Sequence, residues 1–237
     1  MAGPNATSFA DDGFKSVDFP TAGGIQGRAD VYASQSKSAT LVLLFHQAGW
    51  SRGEYREIAP KLIKAGYQVM AVDQRSGGKV NGIQNETHRR ATRMGLARGY
   101  LAAYVDMEAA LVYARKELAA ERIIVWGSSY SASLVFRLAA EHSDEVTAVM
   151  AFAPGEYFKK EGHDYVQRFA KHVTQPVFVT SAKSEREQVS PIFKASPAKK
   201  GQHGSRALWN EWSDSDVYWV AVNGFLTEYV PAVPPAD

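Results

Sequence analysis

The run Arg122–Glu141, RIIVWGSSYSASLVFRLAAE, constrains this chain more than any other stretch. Its apolar residues are continuous from Ile123 to Trp126, break at Gly127, and resume at helical spacing with Leu134, Val135, Leu138 and Ala139. That pattern predicts a strand, a sharp turn and a helix. The residues at the bend, Gly127-Ser128-Ser129-Tyr130-Ser131, follow G-x-S-x-G except at the last position. The motif holds a serine on a strained turn with its hydroxyl exposed, so the residues two before and two after it must be small. Ser131 is small but carries a Cβ and a hydroxyl. Ser129 is therefore a candidate nucleophile. An ordinary strand-to-helix turn would also contain serine, which caps helices, so the rest of the chain has to decide.

The chain alternates strand and helix signals. Phe14 to Phe19 and Gly27 to Tyr32, separated by Thr21-Ala22-Gly23-Gly24, read as an antiparallel entry to a sheet. Thr40 to Phe45, Tyr67 to Val72, Ile123 to Trp126, Val146 to Phe152 and Pro176 to Thr180 are apolar runs of the kind covered on both faces. Ser51 and Glu54 match an S-x-x-E capping box ahead of a helical face at Tyr55, Ile58, Ala59 and Leu62, with Pro60 either kinking that helix or marking its first turn. Tyr104, Met107, Leu111, Ala114 and Leu118 make a second helix, and Ser213 can cap a last one with Val217, Val220, Ala221 and Phe225 on one face. Lys79 to Gly99 has no clean period and reads as a long connection. The expectation is an α/β fold with a mostly parallel central sheet and helices on both faces. Residues 13–237 are expected to form one domain behind a loose segment, 1–12.

Composition excludes several function classes. The chain has no cysteine, which removes disulfides, thiolate metal sites and a cysteine nucleophile, and its net charge of +2 suggests no polyanion partner such as nucleic acid. No H-x-x-x-H or H-x-x-E-H spacing points to a metal, and no cofactor is expected. No run approaches the roughly 18 apolar residues of a membrane span. The compartment stays open between cytosolic and secreted with the leader absent from this chain.

In an open α/β sheet the ligand sits beyond the carboxyl ends of the strands, and a serine hydroxyl there needs a base and an acid to orient that base. His142 lies 13 residues past Ser129 on the same helix, about 20 Å away at roughly 1.5 Å per residue. His163 and His172 precede the last strongly apolar strand, which reverses the usual serine, acid, histidine order. His88 sits in the basic connection and His46 belongs to a different role. That leaves His203, between Gln202 and Gly204, as the expected base. For the acid, Glu185 has the best offset after Pro176 to Thr180, with Glu187 behind it and Glu156, after the preceding strand, as the topological alternative. The oxyanion donors are expected to be Tyr130 N–H, at a helix start where the dipole favours negative charge, and Ala48 N–H, with Gln47 the neighbouring choice.

These features together resemble the α/β-hydrolase superfamily, and within it the lidless, dienelactone-hydrolase-like branch. The resemblance spans roughly Phe14 to Leu226. It is carried by FHQAGW (Phe45–Trp50), VDQRSGG (Val72–Gly78), GSSYS (Gly127–Ser131) and QHGSRAL (Gln202–Leu208). It implies a Ser129, Glu185, His203 triad, no cap domain, and hydrolysis of small-molecule esters through an acyl-serine intermediate; a peptidase or amidase, or a non-catalytic binding protein on the same frame, are the alternatives. Dienelactone hydrolases use cysteine where this chain has serine. Gln47 replaces a glycine, and no apolar strand is visible in Ala195 to Gln202, so the final strand is expected to be short or absent. Trp50, Tyr157 and Phe158 are expected to line the substrate pocket. Arg75, Arg89, Arg90, Arg93 and Arg98 could draw an anionic substrate toward it.

Overall fold

The computed structural model describes residues 13–32, 40–200, 206–210 and 215–232. The strands are β1 (Lys15–Thr21), β2 (Ile25–Tyr32), β3 (Thr40–Phe45), β4 (Gln68–Asp73), β5 (Lys79–Val80), β6 (Ile83–Gln84), β7 (Arg122–Ser128), β8 (Ala148–Phe152), β9 (Val177–Ala182) and β10 (Arg206–Asn210). Eight of them form one sheet in the order β1-β2-β4-β3-β7-β8-β9-β10, and β5 and β6 pair as a separate hairpin. β1 and β2 are antiparallel to each other and β2 is antiparallel to β4; the pairs from β4 to β10 are parallel.

Alternation along the central strands divides the core in two. Leu41, Leu43 and Phe45 of β3 face one layer, shared with α3 (Tyr104–Lys116) and α4 (Tyr130–Glu141); Val42 and Leu44 face the other, under α1 (Ile58–Lys64) and α7 (Ser215–Tyr229). Both faces are covered, which is why every residue of β3 is buried and its run is apolar without alternation. The parallel strands therefore end on one rim, where Phe45, Ser128, Phe152 and Ala182 close their strands.

Three local expectations are revised and one open choice, at Pro60, is decided. Lys79 to Gly99 contains the β5–β6 hairpin and α2 (Glu86–Arg93), started by Asn85, whose side chain accepts the His88 N–H. α2 carries few apolar residues, so hydrophobic periodicity could not reveal it. Pro60 falls in the first turn of α1, where its missing N–H costs nothing. On α7, Val217 and Val220 are exposed, and the buried stripe is Val222, Phe225 and Leu226. The last strand is five residues long but lies after Gln202 rather than before it, with Arg206 opposite Phe178 and Asn210 opposite Ala182; Arg186–Ala195 is helix α6, followed by a 3-10 turn at Pro197–Lys200.

Between β8 and β9 the chain carries a 3-10 turn and α5 (Tyr165–Ala170), with no inserted domain. Among the described residues no helix is long and apolar enough to cross a membrane.

Candidate active site

β7 leaves the sheet at Ser128, and the next residue, Ser129, adopts φ 57° and ψ −119° before α4 begins. A positive φ on a serine is strained backbone, and the fold holds it in place: Ser129 N–H donates to Phe152 O at the end of β8, at 2.8 Å. Gly127 cannot be replaced without movement, because a Cβ there would lie 2.4 Å from Ser131 O. Ser131, the departure from the motif, has its own work. Its hydroxyl donates to His46 O at 2.6 Å and accepts from the Gln74 amide at 2.9 Å, joining the nucleophile turn to the loop after β3.

Ser129 opens on a cleft of about 670 Å³ that also exposes Gln47, Glu54, Tyr157 and Glu185, with Trp126, Phe152, Tyr218 and Trp219 among its aromatic walls. A second hollow of about 660 Å³, between α1 and the end of α7, is lined by Lys61, Lys64, Trp219 and Leu226 and, among the described residues, by no carboxylate or histidine.

The three carboxylates proposed from the sequence separate clearly. Glu185 lines the cleft from the 3-10 turn after β9 and accepts the Ala182 N–H at 3.2 Å. Glu187 is exposed on α6. Glu156 caps α5, taking Val166 N–H at 2.8 Å and Gln167 N–H at 3.0 Å; its acceptor capacity is spent on the helix terminus. Tyr157 is the expected pocket residue that does reach the cleft. Its hydroxyl donates to Ala153 O at 3.1 Å and lies against the Ser129 hydroxyl, and burial raises its pKa despite that serine contact.

Two other pocket residues do not reach it. Phe158 is buried in the core, edge-on to Tyr165, because the turn that presents Tyr157 sends its neighbour inward. Trp50 is 37% exposed and does not line the cleft. None of the five arginines lines the cleft, and Arg93 is exposed on α2. Arg75 is buried against Asp106, Arg89 pairs with Glu86, Arg90 with Asp18, and Arg98 donates to Thr92.

At the oxyanion loop, Gln47 N–H donates to Glu54 Oε2 at 2.8 Å, which leaves Ala48 as the loop's candidate donor beside Tyr130 N–H, the candidate at the first residue of α4. The Tyr130 ring itself is buried, stacked on Tyr100, and its hydroxyl is bonded to Ser76. Glu54 is the residue the sequence misassigned. The capping box does not close: Ser51 accepts from Gly53 N–H, while Glu54 turns back to Gln47 and into the cleft. Nothing in a one-dimensional reading links two residues through that return.

Burial raises the Glu54 pKa from 4.5 to about 7, against the Gln47 N–H and the Ser128 hydroxyl, which pull it down. A carboxyl whose folded pKa is raised carries no penalty below its unfolded value and the full penalty above its folded one. Glu54→Gln keeps an acceptor for Gln47 N–H but removes the charge. It should therefore raise the unfolding temperature at pH 8.5 and leave it nearly unchanged at pH 4, checked by thermal unfolding at both; a gain of equal size at both values would contradict the buried charge.

None of the five described histidines lines the cleft. His46 is buried, His88 bonds to Arg75 O, and His142 lies between Glu108 and Glu145. His163 and His172 lie at the ends of α5. His203 lies outside the described residues. Among the described residues no three His, Cys, Asp or Glu side chains gather as a metal site.

The family model described as "Serine aminopeptidase, S33" matches residues 36–202, which include the nucleophile turn, the oxyanion loop and Glu185. The chain belongs to this hydrolase family. Solved structures place the S33 chain within the α/β-hydrolase fold. An esterase of Pyrococcus furiosus shares 17% identity at a TM-score of 0.68, covering 91% of each chain. A dienelactone hydrolase from Anabaena variabilis shares 16% identity at 0.69, covering 91% of this chain and 97% of its own. A carboxyl esterase from Bacillus coagulans shares 13% identity at 0.70, covering 90% and 97%. No curated protein matches this S33 chain by sequence.

Proposed function

We propose that this protein is a serine hydrolase that cleaves small-molecule carboxylic esters through an acyl-serine intermediate, its residues 13–237 acting as one domain. The observation that carries the reading is Ser129, held at positive φ on the rim of a cleft shared with Glu185. An isolated strand-to-helix turn has no reason to store that strain beside a cavity lined by a carboxylate. The structural neighbours named as esterases and as a dienelactone hydrolase support ester cleavage. The open cleft, with no inserted domain between β8 and β9, supports small or extended acyl groups.

His203 takes the Ser129 proton as the hydroxyl oxygen attacks the carbonyl carbon, with Glu185 orienting the imidazole. Tyr130 and Ala48 N–H groups receive the negative charge that develops on the carbonyl oxygen. His203 then protonates the departing alkoxide, and a water activated by the same imidazole releases the acid. Its assignment follows from chain order, and from the absence of the five described histidines from the cleft.

A panel of p-nitrophenyl esters of rising chain length, run against matched p-nitroanilides, tests the reading. Ester turnover should dominate and should decline below about pH 6 as an imidazole base protonates. His203→Ala should lower kcat by roughly 10³-fold or more. If His203→Ala turns over normally, the base is another group on the cleft, and Glu54, with its pKa near 7, is the first candidate.

A further inference from the structure

The oxyanion peptide is tied down by a group that takes no part in the proposed proton transfers. Gln74 N–H donates to His46 Nε2 at 2.9 Å, and the Asn85 amide nitrogen lies 3.1 Å from the same atom. A backbone N–H can only donate, so Nε2 is an acceptor and the hydrogen of the neutral ring sits on Nδ1. The Asn85 amide is oriented independently, because its oxygen accepts His88 N–H at 2.8 Å. Nδ1 lies 2.8 Å from Gln47 O, so the ring donates there, the shorter of two bonds to that oxygen, which Trp50 N–H also reaches at 3.3 Å.

Gln47 C=O and Ala48 N–H are the two poles of one planar trans peptide. Holding the oxygen on the His46 side directs the N–H to the opposite side. The preceding peptide is held at both poles too, with Ser131 on His46 O and Glu54 on Gln47 N–H. Flipping the 47–48 peptide would put a carbonyl where a donor is needed and leave Nδ1–H unpaired at a fully buried ring, a costly loss. Burial pushes the His46 pKa down to about 4, against its hydrogen bonds to Gln47 and Gln74, so the ring stays neutral through the physiological range.

We propose that His46 is a positioning residue for catalysis: its Nδ1–H, dictated by Gln74 N–H, presets the Ala48 N–H as an oxyanion donor. The inference rests on the serine-hydrolase reading and deepens it.

Two substitutions separate this role from packing. The amide nitrogen of asparagine stands two bonds beyond Cβ, as Nδ1 does, and that of glutamine three bonds beyond, as Nε2 does. His46→Gln should lower kcat for a p-nitrophenyl ester about 100-fold, the scale of one lost oxyanion donor, with KM moving much less. His46→Asn should recover at least about tenfold of that loss. Asparagine leaves the larger void, so a purely structural histidine would make it the worse variant. Equal losses in the two variants, or full turnover in His46→Gln, would overturn the proposal. Nitrogen-15 spectra of the intact protein give a readout without substrate, expecting the Nδ1-protonated tautomer unchanged from pH 6 to pH 9; the other tautomer overturns it. The two readings fail differently. A wild-type protein that neither turns over esters nor reacts with a fluorophosphonate removes the hydrolase reading and this role with it, whereas a labelled, active protein indifferent to His46→Gln removes only the latter.

Discussion

Ser129→Ala should reduce kcat/KM for p-nitrophenyl esters by about 10⁴-fold or more and abolish covalent labelling by a fluorophosphonate, while the unfolding transition barely moves. The kinetic size follows from removing the nucleophile of a unit whose members act together, so that the remaining oxyanion donors and binding surface give only residual catalysis. The small effect on folding follows from what Ser129 contributes. The hydrogen bond that holds the turn is donated by its backbone N–H to Phe152 O, and alanine retains it. Alanine also adopts the φ of 57° at a cost similar to serine's. Steady-state kinetics and thermal unfolding on the same preparation check both halves. Undiminished ester turnover in this variant would end the hydrolase assignment, whatever the rest of the cleft looks like.

The second large effect is on stability and lies away from the chemistry. Arg75→Ala should cost about 3–5 kcal/mol, the usual consequence of leaving a buried charge without its partner. Asp106 is fully buried and accepts Arg75 Nε at 2.9 Å, Arg75 Nη2 at 2.8 Å, Arg75 N–H at 2.8 Å and the Thr21 hydroxyl at 2.8 Å. The same guanidinium donates to Ala22 O, so it also fastens the β1–β2 turn to α3. In urea the midpoint should fall sharply with the m-value preserved. Replacing both partners with neutral residues, Arg75→Met with Asp106→Asn, should recover part of the loss, because two desolvated charges disappear together while the asparagine oxygen still accepts the Arg75 N–H. A single variant within about 1 kcal/mol of wild type would show that the pair does not hold this corner, since that is the range of an exposed ion pair.

The parts of the site that were legible in the sequence are those whose signal is local. Gly127 and Ser129 sit where a strand run breaks into a helix run, and both positions are explained by atoms a few residues away: the Ser131 carbonyl that excludes a side chain at Gly127, and the turn that presents the hydroxyl. Glu185 follows a buried strand by a short offset and does reach the cleft. The misreadings share a different cause. Glu54 matched a capping box, yet its carboxylate found a better donor at Gln47. Arg75 looked like part of a basic surface until Asp106, far along the chain, proved to be its partner. α2 was invisible because it is polar on most of its circumference and is held by its cap and by Arg90 on Asp18, not by an apolar face.

The residues alone therefore determined which strands are buried, where the chain turns sharply, and which hydroxyl is presented, because hydrophobic period and backbone sterics act over a few residues at a time. Only the tertiary structure decided how His46, Gln74, Asn85, Glu54 and Ser131 share their hydrogen bonds around one loop. Hydrogen-bond partnership is a matter of direction and distance in three dimensions, and parallel strands joined by long crossovers bring together groups whose order along the chain carries no trace of that encounter.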